Sequence, residues 1–205
     1  MMMAMRKVVA LSLVAAVAVA AKPGPAEVWD VDPSHTEVGF SVKHFFTPVT
    51  GKFEDFDATL RYDPEQAEES AVNVTIRVAS VNTNNERRDS HLQSEDFFEA
   101  ATYPEITFRS TSVRAAGPNR LVATGPLTIK GVTQEVELPI EVLGIQEIPP
   151  QMQDMLDGAT QVASFRATTT LNRKDFGVGV GDWAATMIVG GDVEVDIVLE
   201  AAYRN

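Results

Sequence analysis

The sequence predicts an all-β fold of eight antiparallel strands around one core, with one short helix between the third and fourth strands. Three observations predict it. Apolar and polar residues alternate at period two over most of the chain, the pattern of strands buried on one face. Turn signals separate the runs, at Asp63-Pro64, Gly117-Pro118-Asn119 and Lys130-Gly131. One stretch reads as a helix start, where Thr83 and Glu86 have capping-box spacing.

Residues 1–21 read as a secretory signal peptide and lie outside the fold. Arg6-Lys7 is its positive n-region, and Val8 to Val19 is a small, apolar run broken only by Ser12. Ala18-Val19-Ala20 has the small-x-small form of a cleavage site, so cleavage is expected after Ala20 or Ala21. The run is shorter than the about 20 residues that span a bilayer. Residues 22–27 form a linker, and 28–205 form one domain. The expectation is a periplasmic or secreted protein without stable membrane insertion.

The strands follow in order. Val38, Phe40, Val42 and His44 alternate with Glu37, Gly39, Ser41 and Lys43. Phe56, Ala58, Leu60 and Tyr62 form the second run; Phe53 is out of phase with it, which predicts a bulge near Glu54-Asp55. Val72, Val74, Ile76 and Val78 form the third. The helix is expected from about Asn84 to Leu92, with a second turn from Ser94. Ile106 and Phe108 start the fourth strand, which turns polar at Ser110 and Ser112. Leu121 to Ile129 is the fifth, broken at Gly125-Pro126. The last three carry Val136 to Val142, Phe165 to Leu171 and Val193 to Leu199. Such strands either close into an up-and-down barrel or split into a sandwich. Residues 145–158, with Pro149-Pro150, and 173–191, with five glycines, read as long loops.

Composition removes several function classes. There is no cysteine, which excludes disulfides, thiol catalysis, a lipoprotein anchor and covalent c-type haem. The net charge is −12, and loss of Arg6 and Lys7 takes it to −14. No nucleic-acid partner is expected of so acidic a chain.

The chemistry-bearing residues concentrate at 85–98. Arg87, Arg88, Asp89 and His91 stand beside the aromatic pair Phe97-Phe98. They suit a polar mouth next to an apolar interior, or equally a helix tied to a barrel rim. Arg87 or Arg88 also has the fork that holds a phosphate. His44 or His91 with Asp89 is the alternative, an acid–base pair of a small hydrolase or metal-dependent enzyme. No Gly-x-Ser-x-Gly elbow is present. His35, His44 and His91 lack short ligand spacing, so no metal site is expected. Ten phenylalanines against two tryptophans and three tyrosines require dry surroundings, either a packed core or an apolar cavity. Small residues such as Gly39, Ala58, Ala123 and Ala167 favour the cavity. A filled barrel with a structural role is the third reading.

Several stretches in order resemble the YceI-like family of polyisoprenoid-binding periplasmic proteins. They are Asp32-Pro33-Ser34-His35, Phe40-Ser41-Val42-Lys43-His44, Ser80-Val81-Asn82-Thr83, Asn85-Glu86-Arg87-Arg88-Asp89-Ser90-His91-Leu92, Tyr103-Pro104-Glu105-Ile106-Thr107-Phe108 and Asn172-Arg173-Lys174-Asp175-Phe176-Gly177. The resemblance covers about residues 28 to 203. It implies a lipocalin-like barrel with an elongated pocket, a non-enzymatic role, and an isoprenoid, quinone-type or other long-chain amphiphilic lipid as the bound molecule. No other cofactor is implied. Phe97, Phe98, Phe108 and Phe176 would then lie at or near the tunnel. Strand parity adds Phe40, Val42, Phe56, Val74, Ile76 and Phe165, and the glycine-rich loop adds Trp183. Arg88-Asp89-x-His91 looks like a signature that ties helix to barrel. The loops at 145–158 and 173–191 depart from the family pattern and bear on the pocket entrance. A homodimer, edge to edge or mouth to mouth, is compatible with the sequence.

Overall fold

The computed structural model describes residues 26–204, so the expected signal segment lies outside the described residues. The described chain forms eleven strands: β1 (Val28–His44), β2 (Thr47–Phe53), β3 (Phe56–Arg61), β4 (Ala71–Arg77), β5 (Val81–Asn82), β6 (Glu105–Arg109), β7 (Ser112–Gly117), β8 (Arg120–Ile129), β9 (Val132–Glu147), β10 (Gln161–Asn172) and β11 (Val189–Tyr203). Helix α1 (Glu86–Leu92) follows β5, and α2 (Pro150–Gln153) follows β9.

Eleven strands make eight staves, because three staves are interrupted. β2 and β3 share one stave, since both pair with β1. β4 and β5 share the next, pairing with β3 and β2. β6 and β7 share a third, and both pair with β8. Every pairing is antiparallel, and β11 returns to pair with β1 from Asp30↔Ala202 to His44↔Val189. The sheet therefore closes, and closure removes both edges. The result is an eight-stave, lipocalin-like barrel.

The predicted bulge at Glu54-Asp55 is the gap between β2 and β3. There Glu54 N–H donates to Ser80 O (3.2 Å), and Arg77 N–H donates to Asp55 O (2.9 Å). The neighbouring stave breaks at the same height, in the turn Val78–Ser80.

Gly125-Pro126 does not break β8. The strand runs through it because the partner changes there: β6 pairs up to Thr107↔Thr128 and Phe108↔Leu127, and β7 takes over at Ser112↔Thr124. A Cβ at residue 125 would lie 2.1 Å from Arg109 O, so only glycine admits that crossing backbone. The expected loop at 145–158 is partly strand, since β9 reaches Glu147. The rest is α2 and a turn to Leu156. The helix cap also differs. Asn85 is the N-cap and its side chain accepts from Arg88 N–H at 3.0 Å, whereas Thr83 is buried and engaged elsewhere.

One end of the barrel is filled. Trp29, Tyr62, Phe165 and Tyr203 interlock there, with Trp29–Tyr62 centroids 5.9 Å apart and Tyr62–Phe165 edge to face at 5.0 Å. Trp29 Nε1–H donates to Tyr62 O at 3.0 Å, which satisfies the one polar atom of the indole. Ala163 and Ala201, paired across β10 and β11 beside Phe165 and Tyr203, have no exposed surface and leave room for large rings. Burial pushes the Tyr62 phenol pKa above its usual value.

A candidate ligand-binding cavity

The other end is hollow. A cavity of about 200 Å³ runs between the staves. Inward positions of every stave line it, among them Phe40, Val42, Val74, Ile76, Phe108, Leu127, Leu138, Leu171 and Val195. Apart from Thr169 and Arg173, every lining side chain is apolar. Residues beyond the strands close its wall, namely Leu92 of α1, Phe97, Phe98, Phe176 and Val178. Phe53 packs on Phe40 (5.6 Å) and edge-on to Phe98 (5.9 Å). Phe40 can lie flat over β2 because residue 51 is glycine; a Cβ there would sit 2.5 Å from the ring.

The cavity adjoins a wider mouth of about 610 Å³, and Phe40, Val42, Leu92, Phe97 and Val189 line both. Lys43, His44, Val49, Thr83, Asn85, Arg87, Arg88, His91 and Trp183 complete the mouth. Phe97 is buried under His91 (5.0 Å) and Trp183 (5.7 Å), and His91 stacks edge-on to Trp183 at 4.9 Å.

Thr83 is the hub that fixes α1 to the barrel. Its N–H (2.9 Å) and its hydroxyl both donate to Asp89 Oδ1, and it accepts from Arg88 Nε through Oγ1 (2.7 Å) and from Arg88 Nη2 through its carbonyl (2.6 Å). Asp89 thus holds Thr83, while His91 Nε2 bonds Asp96 Oδ2 at 3.1 Å. Among the described residues no hydrogen bond joins Asp89 to His44 or His91. The acid–base pair weighed above is not assembled.

Three expected residues are placed differently. Phe165 faces the same interior but belongs to the filled end, locked on Tyr62. Phe56 stands opposite Ile76 but lines a separate surface groove with Pro33, Lys52 and Val198. It begins the stave again directly after the Glu54-Asp55 break, where the wall turns. Trp183 lines the mouth and not the inner cavity.

Arg173 was missed. It is buried, lines the cavity, and has no carboxylate partner among the described residues. All five of its donors meet backbone oxygens: Nε to Gly190 (2.8 Å), Nη1 to Val178 (2.8 Å) and Gly179 (3.1 Å), and Nη2 to Trp183 (2.7 Å) and Val189 (3.0 Å). Burial pushes its pKa down from the usual arginine range. The guanidinium thereby folds the 173–191 segment around itself. Gly179 is required for this. Its φ is +78°, and a Cβ there would lie 2.0 Å from Arg173 Nη1. Strand parity carried the clue, since Thr169 and Leu171 point inward and Arg173 is next in phase.

Outside the mouth, His35 Nδ1 lies 2.8 Å from Asp32 Oδ2 and 3.6 Å from Glu200 Oε1, on the β1 bulge between Asp32 and Glu37. This exposed group faces solvent rather than the cavity.

A closed antiparallel barrel with an apolar cavity beside a mouth of polar side chains belongs to the lipocalin-like class. The chain is a member of the YceI-like domain family, which it matches over residues 29–201. It is 39% identical over 150 residues to Protein YceI of Escherichia coli O157:H7, spanning 73% of this chain and 74% of that one. Its fold is similar to the crystal structure of Burkholderia cenocepacia BcnA, with a TM-score of 0.74 and 31% identity over 84% of this chain and 99% of that one. It also shares the fold of a polyisoprenoid binding domain from Saccharophagus degradans implicated in plant cell wall breakdown, with a TM-score of 0.61, 15% identity, and coverage of 86% and 98%.

Proposed function

We propose that this chain is an exported, non-enzymatic binding protein that holds a long-chain isoprenoid or similar amphiphile, with its tail in the cavity and its head at the mouth. The observation that carries this reading is the apolar channel lined by Phe40, Val74, Ile76, Phe98 and Phe108 and continuous with a mouth of polar side chains. Burial of a hydrocarbon tail contributes about 0.8 kcal/mol per methylene, so a long tail binds without specific polar contacts. Membership of the YceI-like family supports the reading, and so does the polyisoprenoid-binding relative of the same fold. The signal-like segment at residues 1–21 supports export to the periplasm or beyond. Carriage, storage and sequestration all use the same site.

The test is native mass spectrometry of the purified mature protein, followed by solvent extraction. A discrete bound mass that releases a long-chain amphiphile is the expected result. Phe108→Asp, which places a carboxylate in the channel wall, should abolish that mass while circular dichroism stays that of a β-barrel. A protein that is apo on purification, and stays apo after incubation with polyprenols, would overturn the reading.

A further inference from the structure

The mouth carries a charge opposite to that of the molecule. The chain has 29 acidic residues against 17 basic ones, yet no Asp or Glu lines the mouth. Lys43, Arg87 and Arg88 do line it. Helix α1 sorts its charges to produce this. Arg87, Arg88 and His91 face the mouth, whereas Glu86 and Asp89 line a separate groove with Glu54. Of the nearby carboxylates, Asp89 accepts from Thr83 and Asp96 bonds His91.

The cations are less occupied. Among the described residues Lys43 and Arg87 have no hydrogen-bond or ion-pair partner, and Arg88 uses only Nε and Nη2, both on Thr83. Deeper in, the buried guanidinium of Arg173 adds a positive charge to the cavity wall with no carboxylate beside it. Its donors are filled, so it acts through its field, which low-dielectric surroundings strengthen. A neutral head group would leave this collar of like charges uncompensated, whereas an anion would compensate it.

We infer that the mouth selects its ligand by head-group charge, taking a single-chain amphiphile with an anionic head, a phosphate monoester or a carboxylate, over the neutral alcohol of the same chain. This rests on the tail-binding reading above.

The experiment uses pairs that share a tail. Geranylgeranyl phosphate is compared with geranylgeraniol, and palmitate with hexadecanol, by titration of the delipidated protein at low salt. The anion of at least one pair should bind about tenfold more tightly or better, as two or three exposed charge contacts supply. That ratio should shrink toward one at about 1 M salt, where the screening length is only about 3 Å. In the double variant Lys43→Glu, Arg87→Glu the ratio should also fall to one or invert. A preference within the phosphate pair alone assigns a phosphate head, and within the palmitate pair alone a carboxylate head. Equal affinities within both pairs at low salt would overturn the charge inference and leave the tail reading standing. Failure of all four probes to bind would overturn both. Because the salt series uses the unaltered protein, misfolding of the variant does not remove the test.

Discussion

Where β1 begins, Trp29, Tyr62, Phe165 and Tyr203 fill the barrel against alanines with no exposed surface. Where β1 ends, Phe40, Phe53, Phe98 and Phe108 stand around open space. Both ends alternate apolar and polar residues in the same way. They differ in what replaces contact across the barrel. At the filled end small residues face large rings, so side chains interdigitate. At the open end large residues form a wall on all sides. That wall is held from behind by hydrogen bonds, through Thr83 on α1 and through Arg173 on the 173–191 segment. Rings stabilise one end by packing, and a polar scaffold stabilises the other while it stays hollow.

Matched ring deletions test this contrast most strongly. Phe165→Ala should cost about 3–5 kcal/mol, because a new cavity opens in a filled region. Phe98→Ala should cost about 2 kcal/mol or less, since it loses transfer energy but only widens an existing space. Urea unfolding of the two variants checks it, and equal losses would dissolve the distinction between the ends.

The next effect is polar and confined to the open end. Arg173→Met leaves five backbone oxygens without their donor and should destabilise by about 3 kcal/mol. Limited proteolysis should then cut first within 177–191. If cleavage begins instead near Trp29, the guanidinium does not hold the mouth.

The smallest effect lies at the β1 bulge between the two ends. The Asp32 hydrogen bond, with its charge and that of Glu200, raises the His35 pKa above its usual value. The contribution of His35 to stability is therefore complete below its unfolded-state value of 6.5 and is lost as pH rises through the raised folded value. The Asp32 pKa is lowered, chiefly by the bond to His35, so its contribution is complete above 3.8 and is lost as pH falls through the lowered folded value. The pair supports the bulge best between these limits. His35→Gln should flatten the loss of stability above neutrality, as thermal unfolding over about pH 5 to 8 would show. An unchanged pH profile would mean that this exposed pair contributes nothing to the fold.

The alternation of Val38 to Val42, Val72 to Val78 and Val193 to Leu199 carried the strand count and the inward faces. Phe40, Val42, Val74 and Ile76 of these runs line the cavity, as does Phe108, which the family resemblance had pointed to. The out-of-phase Phe53 located the stave break. Period two is a property of the backbone pleat, so it survives in sequence. Height along the barrel does not. Phe108 and Phe165 have the same parity signal, yet one lines the cavity and the other the filled end, because strand stagger sets which residues share a layer. The helix cap passed from Thr83 to Asn85 because Asp89 and Arg88 had claimed the threonine hydroxyl. Gly125-Pro126 stayed within its strand because β6 handed over to β7 at that point. Arg173 acquired its place only when the glycine-rich segment wrapped its carbonyls around it. The sequence by itself determined the staves and their faces, since those follow from local alternation. Tertiary structure alone decided which end is filled, which is hollow, and where the charges of α1 point, since each depends on partners distant in the chain.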